Sequence, residues 1–309
     1  MAHYQKELRY AISIVRNASK ITEWFQKKGF NSYLKNDNSP VTLADFASQI
    51  YIIAKLKQYF PNDEIIAEEE NSEFIDHNAI NLITKCLESL DLAKEIDITQ
   101  SIGYRGISAE RKWTIDPIDG TIGYQKGFPY AIGIGLIENL IPKICAIAVP
   151  NYNKKGLAIF SAEKGCGAQV SYNNGKSQFI KVSNQNNLIN ANFCHSLHYD
   201  KPWVEEFIKI ARLKNVIQID SMAKFCMVAD GSVDLYIKPL DADRSFIWDF
   251  MPGDLIVREA GGQVTDLNGD RLKFKENKCI WTSPGIVSSN GILQAQVLEL
   301  IKNRNLGLQ

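Results

Sequence analysis

The chain has 309 residues, 45% of them hydrophobic, and its 35 lysines and arginines are balanced by 35 aspartates and glutamates. That length and apolar content suit one large α/β unit or two close lobes sharing a cleft, and zero net charge excludes a global field favouring nucleic-acid polymers or membrane surfaces. The first ten residues lack an apolar signal core, the longest apolar tract (131–149) is broken by Glu138, Asn139, Pro142 and Lys143, and the six scattered cysteines form no Cys-x-x-Cys pair. A cytoplasmic protein with reduced thiols is expected, without a structural zinc site or disulfide framework.

In chain order, residues from about 4 to 29 predict a helix that Asn36-Asp37-Asn38-Ser39-Pro40 ends. A second helix is predicted over 42–60, with Ile50, Ile53, Leu56 and Phe60 on a core stripe and Asp45 and Gln49 on a shared face. Glu64 to Ala67 reads as a short strand delivering Glu68, and the segment from about 71 to 100 as a polar helical insertion. Lys112 to Ile115 follows as a strand, with Trp113 and Ile115 facing one way and Thr114 and Asp116 the other.

Strands over 131–136 and 144–149 are expected to meet around Asn139. A lobe boundary is expected at Pro150-Asn151-Tyr152-Asn153. It would separate an N-terminal α+β lobe (1–152) carrying most metal ligands from a C-terminal α/β lobe (153–309) carrying substrate loops and the last acidic ligand. The second half predicts a strand at 157–161, a helix near 203–213 and a strand at 233–238. A helix over 249–260 should have Asp249 as N-cap, Pro252 in its first turn and Gly261 as stop, and a hairpin over 263–274 should fold at Asn268-Gly269.

The residues that carry chemistry are Asp116-Pro117-Ile118-Asp119-Gly120-Thr121, Trp248-Asp249 and the run Glu68-Glu69-Glu70. If Glu68, Asp116, Asp119 and Asp249 converge, like charges about 4 Å apart repel by about 4 kcal/mol at an effective dielectric near 20, so the cluster needs cations or protons. An all-oxygen donor set with no adjacent Cys or His calls for Mg2+, with Mn2+ as a substitute. Pro117 stiffens the turn and the Ile118 carbonyl offers another ligand. Gly120 permits close backbone approach, and Thr121 opens a segment whose N–H groups can receive a phosphate oxygen.

Metals there would polarise a phosphoryl group and acidify a water, which Thr121 and a carboxylate on the opposite wall, Asp45, would orient and deprotonate. Alone, Asp249 reads as a helix cap and the glutamate run as a solvated surface. Together with the aspartate pair they specify metal-dependent hydrolysis of a phosphate ester.

These motifs resemble those of the lithium-sensitive, magnesium-dependent phosphomonoesterase superfamily, over nearly the whole chain. Ser39-Pro40-Val41-Thr42-Leu43-Ala44-Asp45, Asp116 to Thr121 with Gly123-Tyr124-Gln125-Lys126-Gly127, Asp220-Ser221-Met222-Ala223-Lys224-Phe225 and Ile247-Trp248-Asp249 look most like its bisphosphate nucleotidase branch. The resemblance implies an α/β fold, the alternating α/β/α/β/α layered sandwich of the inositol monophosphatase/sugar phosphatase type. It implies that Glu68, Asp116 and the Ile118 carbonyl hold one Mg2+ and Asp116, Asp119 and Asp249 a second, with Glu68 reaching a third ion. Asp45 and Thr121 would activate water, and Gly120, Thr121, His195, Ser221, Lys224 and Lys238 would bind substrate.

The implied reaction is hydrolysis of the 3'-phosphate of adenosine 3',5'-bisphosphate to AMP and phosphate. The 3'-phosphoadenylyl sulfate analogue would be a second substrate, with a place in sulfur assimilation and inhibition by Li+. The alternatives are inositol polyphosphate 1-phosphatase activity, alone or in addition, and a catalytically silent nucleotide or phosphoinositide sensor. A small phosphorylated molecule is the expected partner and a monomer the favoured state. The chain departs from the family at Ala67 before the metal glutamate, at Ile122 after Thr121, at Met251-Pro252 where small residues follow the last aspartate, and at Lys238 where an arginine is expected. Tyr199 and Phe225 are candidate neighbours of the base.

Overall fold

The computed structural model describes residues 3–29, 32–35, 39–70, 74–241, 245–274, 280 and 283–307. Helix α1 (Gln5–Lys28) buries Ala11, Ile14, Val15, Ala18, Ile21 and Phe25, the three- and four-residue spacing of an amphipathic helix. A short hairpin of β1 (Ser32–Leu34) and β2 (Pro40–Thr42) leads into α2 (Leu43–Tyr59), whose N-cap is Thr42. The expected core stripe on α2 is too narrow. The helix is buried on nearly all sides, Asp45, Ser48 and Gln49 included, because α1, the first sheet and the loop after β3 (Glu64–Ala67) enclose it.

The insertion folds as α3 (His77–Ser89) and α4 (Ile98–Ser101). Then come β4 (Arg111–Asp119), α5 (Thr121–Gln125), β5 (Ala131–Glu138) and β6 (Ile141–Val149), the last two joined by a turn with Asn139 and Leu140 at positive φ. β7 (Ala158–Glu163), β8 (Ala168–Tyr172) and β9 (Gln178–Phe179) continue the same sheet, in the order β3-β4-β5-β6-β7-β8-β9. The change of sheet therefore does not coincide with the expected boundary at 152. It falls between Phe179 and Asn192, because the β6–β7 connection is short enough for antiparallel neighbours.

The second sheet, β11-β10-β12-β14-β13, contains β10 (Asn192–His195), β11 (Asn215–Gln218), β12 (Leu235–Pro239), β13 (Gln263–Asp266) and β14 (Gly285–Ser289). Between these strands run α6 (Pro202–Ala211), α7 (Ala223–Ala229) and α8 (Ile247–Glu259), and α9 (Gln294–Asn303) follows. The expected hairpin over 263–274 is a turn only. The Asp266 carboxylate accepts the N–H groups of Asn268 and Asp270, and β13 pairs with β14 instead. Residues 275–279 and 281–282 lie outside the described residues.

Alternation along β5 sets the layers. Ile132, Ile134 and Leu136 join α1 and α2 in one core, while Ala131 and Ile137 join α7 and α8 in another. On β4, Trp113 and Ile115 face the first core and Asp116 the opposite side, as the alternation predicts. α8 is buried around nearly its whole circumference because it lies between the two sheets, and α6 and α9 cover the far face of the second. The result is the helix/sheet/helix/sheet/helix sandwich. Among the described residues, no helix is long and apolar enough to cross a membrane. Cys86, Cys145, Cys194 and Cys226 are buried free thiols and Cys166 is exposed.

Candidate active site

β4 ends in the acidic turn. The β4–β5 register shifts between Asp116 and Asp119, where Pro117 has no N–H to continue the ladder. Gly120 follows at φ 91, and a Cβ there would lie 3.1 Å from the Ser221 Cβ, so both conformation and space demand glycine. Asp249 arrives on the first turn of α8, which lies between the two sheets. It is not the N-cap: Phe246 holds that place without a side-chain bond, and Pro252 sits deeper than the first turn.

Carboxylate oxygens of Asp116, Asp119 and Asp249 lie within 4.8 Å of one another. Burial pushes all three carboxyls upward, Asp249 to about 7, against the positive charge of Lys238 at Asp119 and Asp249 and with the neighbouring carboxylates adding to the shift. Oδ1 of Asp116 is buried and has no hydrogen-bond partner among the described residues. An orphaned acceptor among crowded carboxylates fits a bound cation. A second group, His195, Asp200 and Glu205, is equally close, but there the His195 ring is already bonded to Asp200.

Glu68 leaves β3 next to this triad, its N–H donating to the Ile115 carbonyl at 3.2 Å. It borders the same cavity but lies outside the close group, and Lys35 donates to it at 2.9 Å and to Glu69 at 2.7 Å. The glutamate run is thus only partly solvated, with Glu70 exposed. Glu69 is buried, and Gln49 bonds both its N–H and its carbonyl.

Asp45 is fully buried at the third position of α2. Its Oδ2 accepts from the Thr42 N–H (2.8 Å) and hydroxyl (2.6 Å) in a capping box, which leaves Oδ1 for the Thr121 hydroxyl at 3.3 Å. The same hydroxyl lies 3.1 Å from the Ile118 carbonyl. Burial, against the Thr42 hydrogen bonds, lifts the Asp45 carboxyl to about 7.

A cavity of about 320 Å³ opens beside these groups, lined also by Ser221, Lys224, Lys238 and the 196–201 loop. Lys224 is buried and pushed down to about 8 by burial and then by Lys238. Among the described residues neither lysine makes an ion pair within 4 Å. Ser221 takes φ 79, and the next residue, Met222, donates its N–H to the Asp119 carboxylate. Phe246 stacks on Trp248 (4.7 Å between centroids, 12° between planes) at the cavity wall.

Of the expected substrate contacts, His195 requires correction. It is 1% exposed, stacked on Phe193 and bonded to Asp200, and it does not line the cavity. His198 does, with Nδ1 against Asp220 and Nε2 3.1 Å from the Lys126 ammonium. Tyr199 stands exposed at the rim, whereas Phe225 is buried beneath, packed edge-on to Tyr236. Sequence reasoning missed Lys35 and the Met222 N–H. A lysine shortly before Ser39-Pro40, in a chain with a glutamate run at 68–70, was the available signal for the first; a backbone donor leaves none.

Comparisons with known proteins bear on the family and the fold. The model of the inositol monophosphatase family matches residues 3–305. The 3'(2'),5'-bisphosphate nucleotidase of Emericella nidulans is 32% identical, over 97% of this chain and 98% of that protein. The enzyme of the same name from Schizosaccharomyces pombe is 32% identical over 96% and 95%. Among solved structures, the Thermotoga maritima IMPase superimposes with a TM-score of 0.71 at 24% identity, over 97% of this chain and 98% of that one, which bears on the fold.

Proposed function

The chain belongs to the inositol monophosphatase family, and from that premise we propose that it is a Mg2+-dependent phosphatase removing the 3'-phosphate of adenosine 3',5'-bisphosphate to leave AMP. The observation that carries this reading is one cavity bordered both by three crowded aspartates and by two lysines that make no ion pair within 4 Å among the described residues. The aspartates suit a cation over the departing phosphoryl group. The lysines suit a second, retained anion, which a monophosphate would not supply. The names of the Emericella and Schizosaccharomyces relatives support the same substrate class.

Asp116, Asp119 and Asp249 would hold the metal, with Glu68 and the Ile118 carbonyl beside them. When bound, Mg2+ polarises the phosphoryl group and acidifies a neighbouring water. Thr121 Oγ1 accepts a proton from that water as its own hydroxyl proton passes to Asp45 Oδ1, for which the elevated Asp45 pKa provides affinity near neutrality. The water oxygen would bond to phosphorus as the phosphorus–oxygen bond to the 3' position breaks, the departing 3' oxygen would take a proton from solvent, and no protein nucleophile is consumed. Lys224, Lys238, Ser221 and Gly120 would hold the 5'-phosphate, while the 196–201 loop and the Phe246 ring enclose the nucleoside. A 5'-phosphosulfate presents similar oxygens to the lysines, which supports the sulfated analogue as a second substrate. The intact carboxylates and Thr121 argue against a silent sensor.

Product analysis tests the regiochemistry. Chromatography of the reaction should find AMP phosphorylated at the 5' position, and adenosine 3'-phosphate as the product would overturn this reading.

A further inference from the structure

On the face of the first sheet that meets α7 and α8, β5 carries two glycines. Gly133 lies opposite Asp116 and Gly135 opposite Thr114. Neither has positive φ, so conformation does not call for glycine at either position. Space does. A Cβ on Gly133 would come 2.5 Å from Sδ of Met222, and one on Gly135 would come 2.8 Å from Sδ of Met251 and closer still to its methyl. Met251 is fully buried, and Met222, though it borders the cavity, is 2% exposed, so both tips are packed in the interior.

Both methionines adjoin the proposed metal triad. Met222 supplies the N–H that holds Asp119, and Met251 follows Asp249 by two residues on α8. We propose that Gly133–Met222 and Gly135–Met251 are positioning pairs: the methionine tips seated on β5 fix the depth at which α7 and α8 dock, and thereby keep Asp119 and Asp249 within reach of one ion together with Asp116. Long, unbranched methionine suits this seat, and the missing side chains on β5 provide it. This inference rests on the metal reading of the triad, but not on the identity of the substrate.

Mg2+ binding to the full chain, measured by calorimetry and by the Mg2+-dependent rise in Tm, tests it. Gly133→Ala and Gly135→Ala should each weaken Mg2+ binding about tenfold, the scale seen when groups supporting a metal ligand are altered. Trimming the opposing tip, in Gly133→Ala/Met222→Ala and Gly135→Ala/Met251→Ala, should recover affinity to within about threefold of the unaltered chain. Ile134→Val, on the opposite face of the same strand, should lower Tm while leaving Mg2+ affinity unchanged, which separates positioning from general packing loss.

Unchanged affinity in both glycine variants, no recovery in the doubles, or an equal loss in Ile134→Val would overturn the proposal. Should a glycine variant not fold, Met251→Ala alone is read: weakened Mg2+ binding supports the seat and undiminished binding overturns it. Absence of Mg2+ binding by the unaltered chain would overturn the metal reading, and this inference with it.

Discussion

The Thr121 hydroxyl and Asp45 Oδ1 lie 3.3 Å apart in space and 76 positions apart in the chain. The partner oxygen, Oδ2, is occupied in capping α2, so the helix that positions Asp45 also aims it. Asp45→Asn preserves size and a capping acceptor while removing the base. It should lower kcat about 100- to 1,000-fold, the range of a lost general base, and leave Mg2+ affinity within about threefold. Steady-state kinetics would contradict the role if kcat fell less than about tenfold.

Asp119→Asn and Asp249→Asn should each abolish turnover and Mg2+ binding together. Metal-free Tm should hold or rise, because each change removes one buried charge from a mutually repelling set. Calorimetry and thermal unfolding in EDTA check both halves. Full activity in either variant would exclude the triad as the metal site.

The raised carboxyls also set a pH dependence. Burial lifts Asp45 and Asp249 to about 7, and Asp116 and Asp119 upward as well. Between the ordinary carboxylate range and pH 7 the folded chain therefore binds more protons than the unfolded chain, and these groups' contribution to stability falls as pH rises. Denaturant unfolding in EDTA should show that fall, and Asp249→Asn should flatten it, which separates it from the opposite trend of the paired carboxylates Glu64, Glu138 and Asp220. At pH 8, Mg2+ at about 100 times its Kd should restore about 2.7 kcal/mol. Identical profiles for the two proteins would contradict the cluster's cost.

Lys224→Met should raise KM for a bisphosphate about tenfold, the cost of a lost charge-assisted bond, with kcat little changed. Since burial holds Lys224 near a pKa of about 8, KM for the unaltered protein should rise as pH passes that value and the ammonium loses its proton. Lys224→Met should lack this rise. Parallel pH profiles for the two proteins would remove Lys224 from phosphate binding.

Much of this was legible in the sequence because it is local. The 3.6-residue spacing marked α1, the alternation around Asp116 told which face its carboxylate takes, and Asn139 marked the β5–β6 turn. What failed depended on partners far along the chain. Asn268-Gly269 does form a tight turn, but β13 finds β14 rather than the next few residues. Asp249 looked like a cap because helix-start chemistry and metal ligation favour the same residue type, and only packing between two sheets moved the helix start back to Ile247. His195 and His198 share a motif, yet strand β10 turns the first into the core and the loop brings the second to the cavity.

The most direct test of the central claim is kcat/KM for phosphate release by the purified protein with Mg2+, against adenosine 3',5'-bisphosphate, inositol 1,4-bisphosphate and inositol 1-phosphate. The account predicts at least about a tenfold preference for the nucleotide, the worth of one well-placed recognition contact, and no release from any of the three in EDTA. Equal or better use of inositol 1,4-bisphosphate, or no release from any substrate with Mg2+ present, would contradict it.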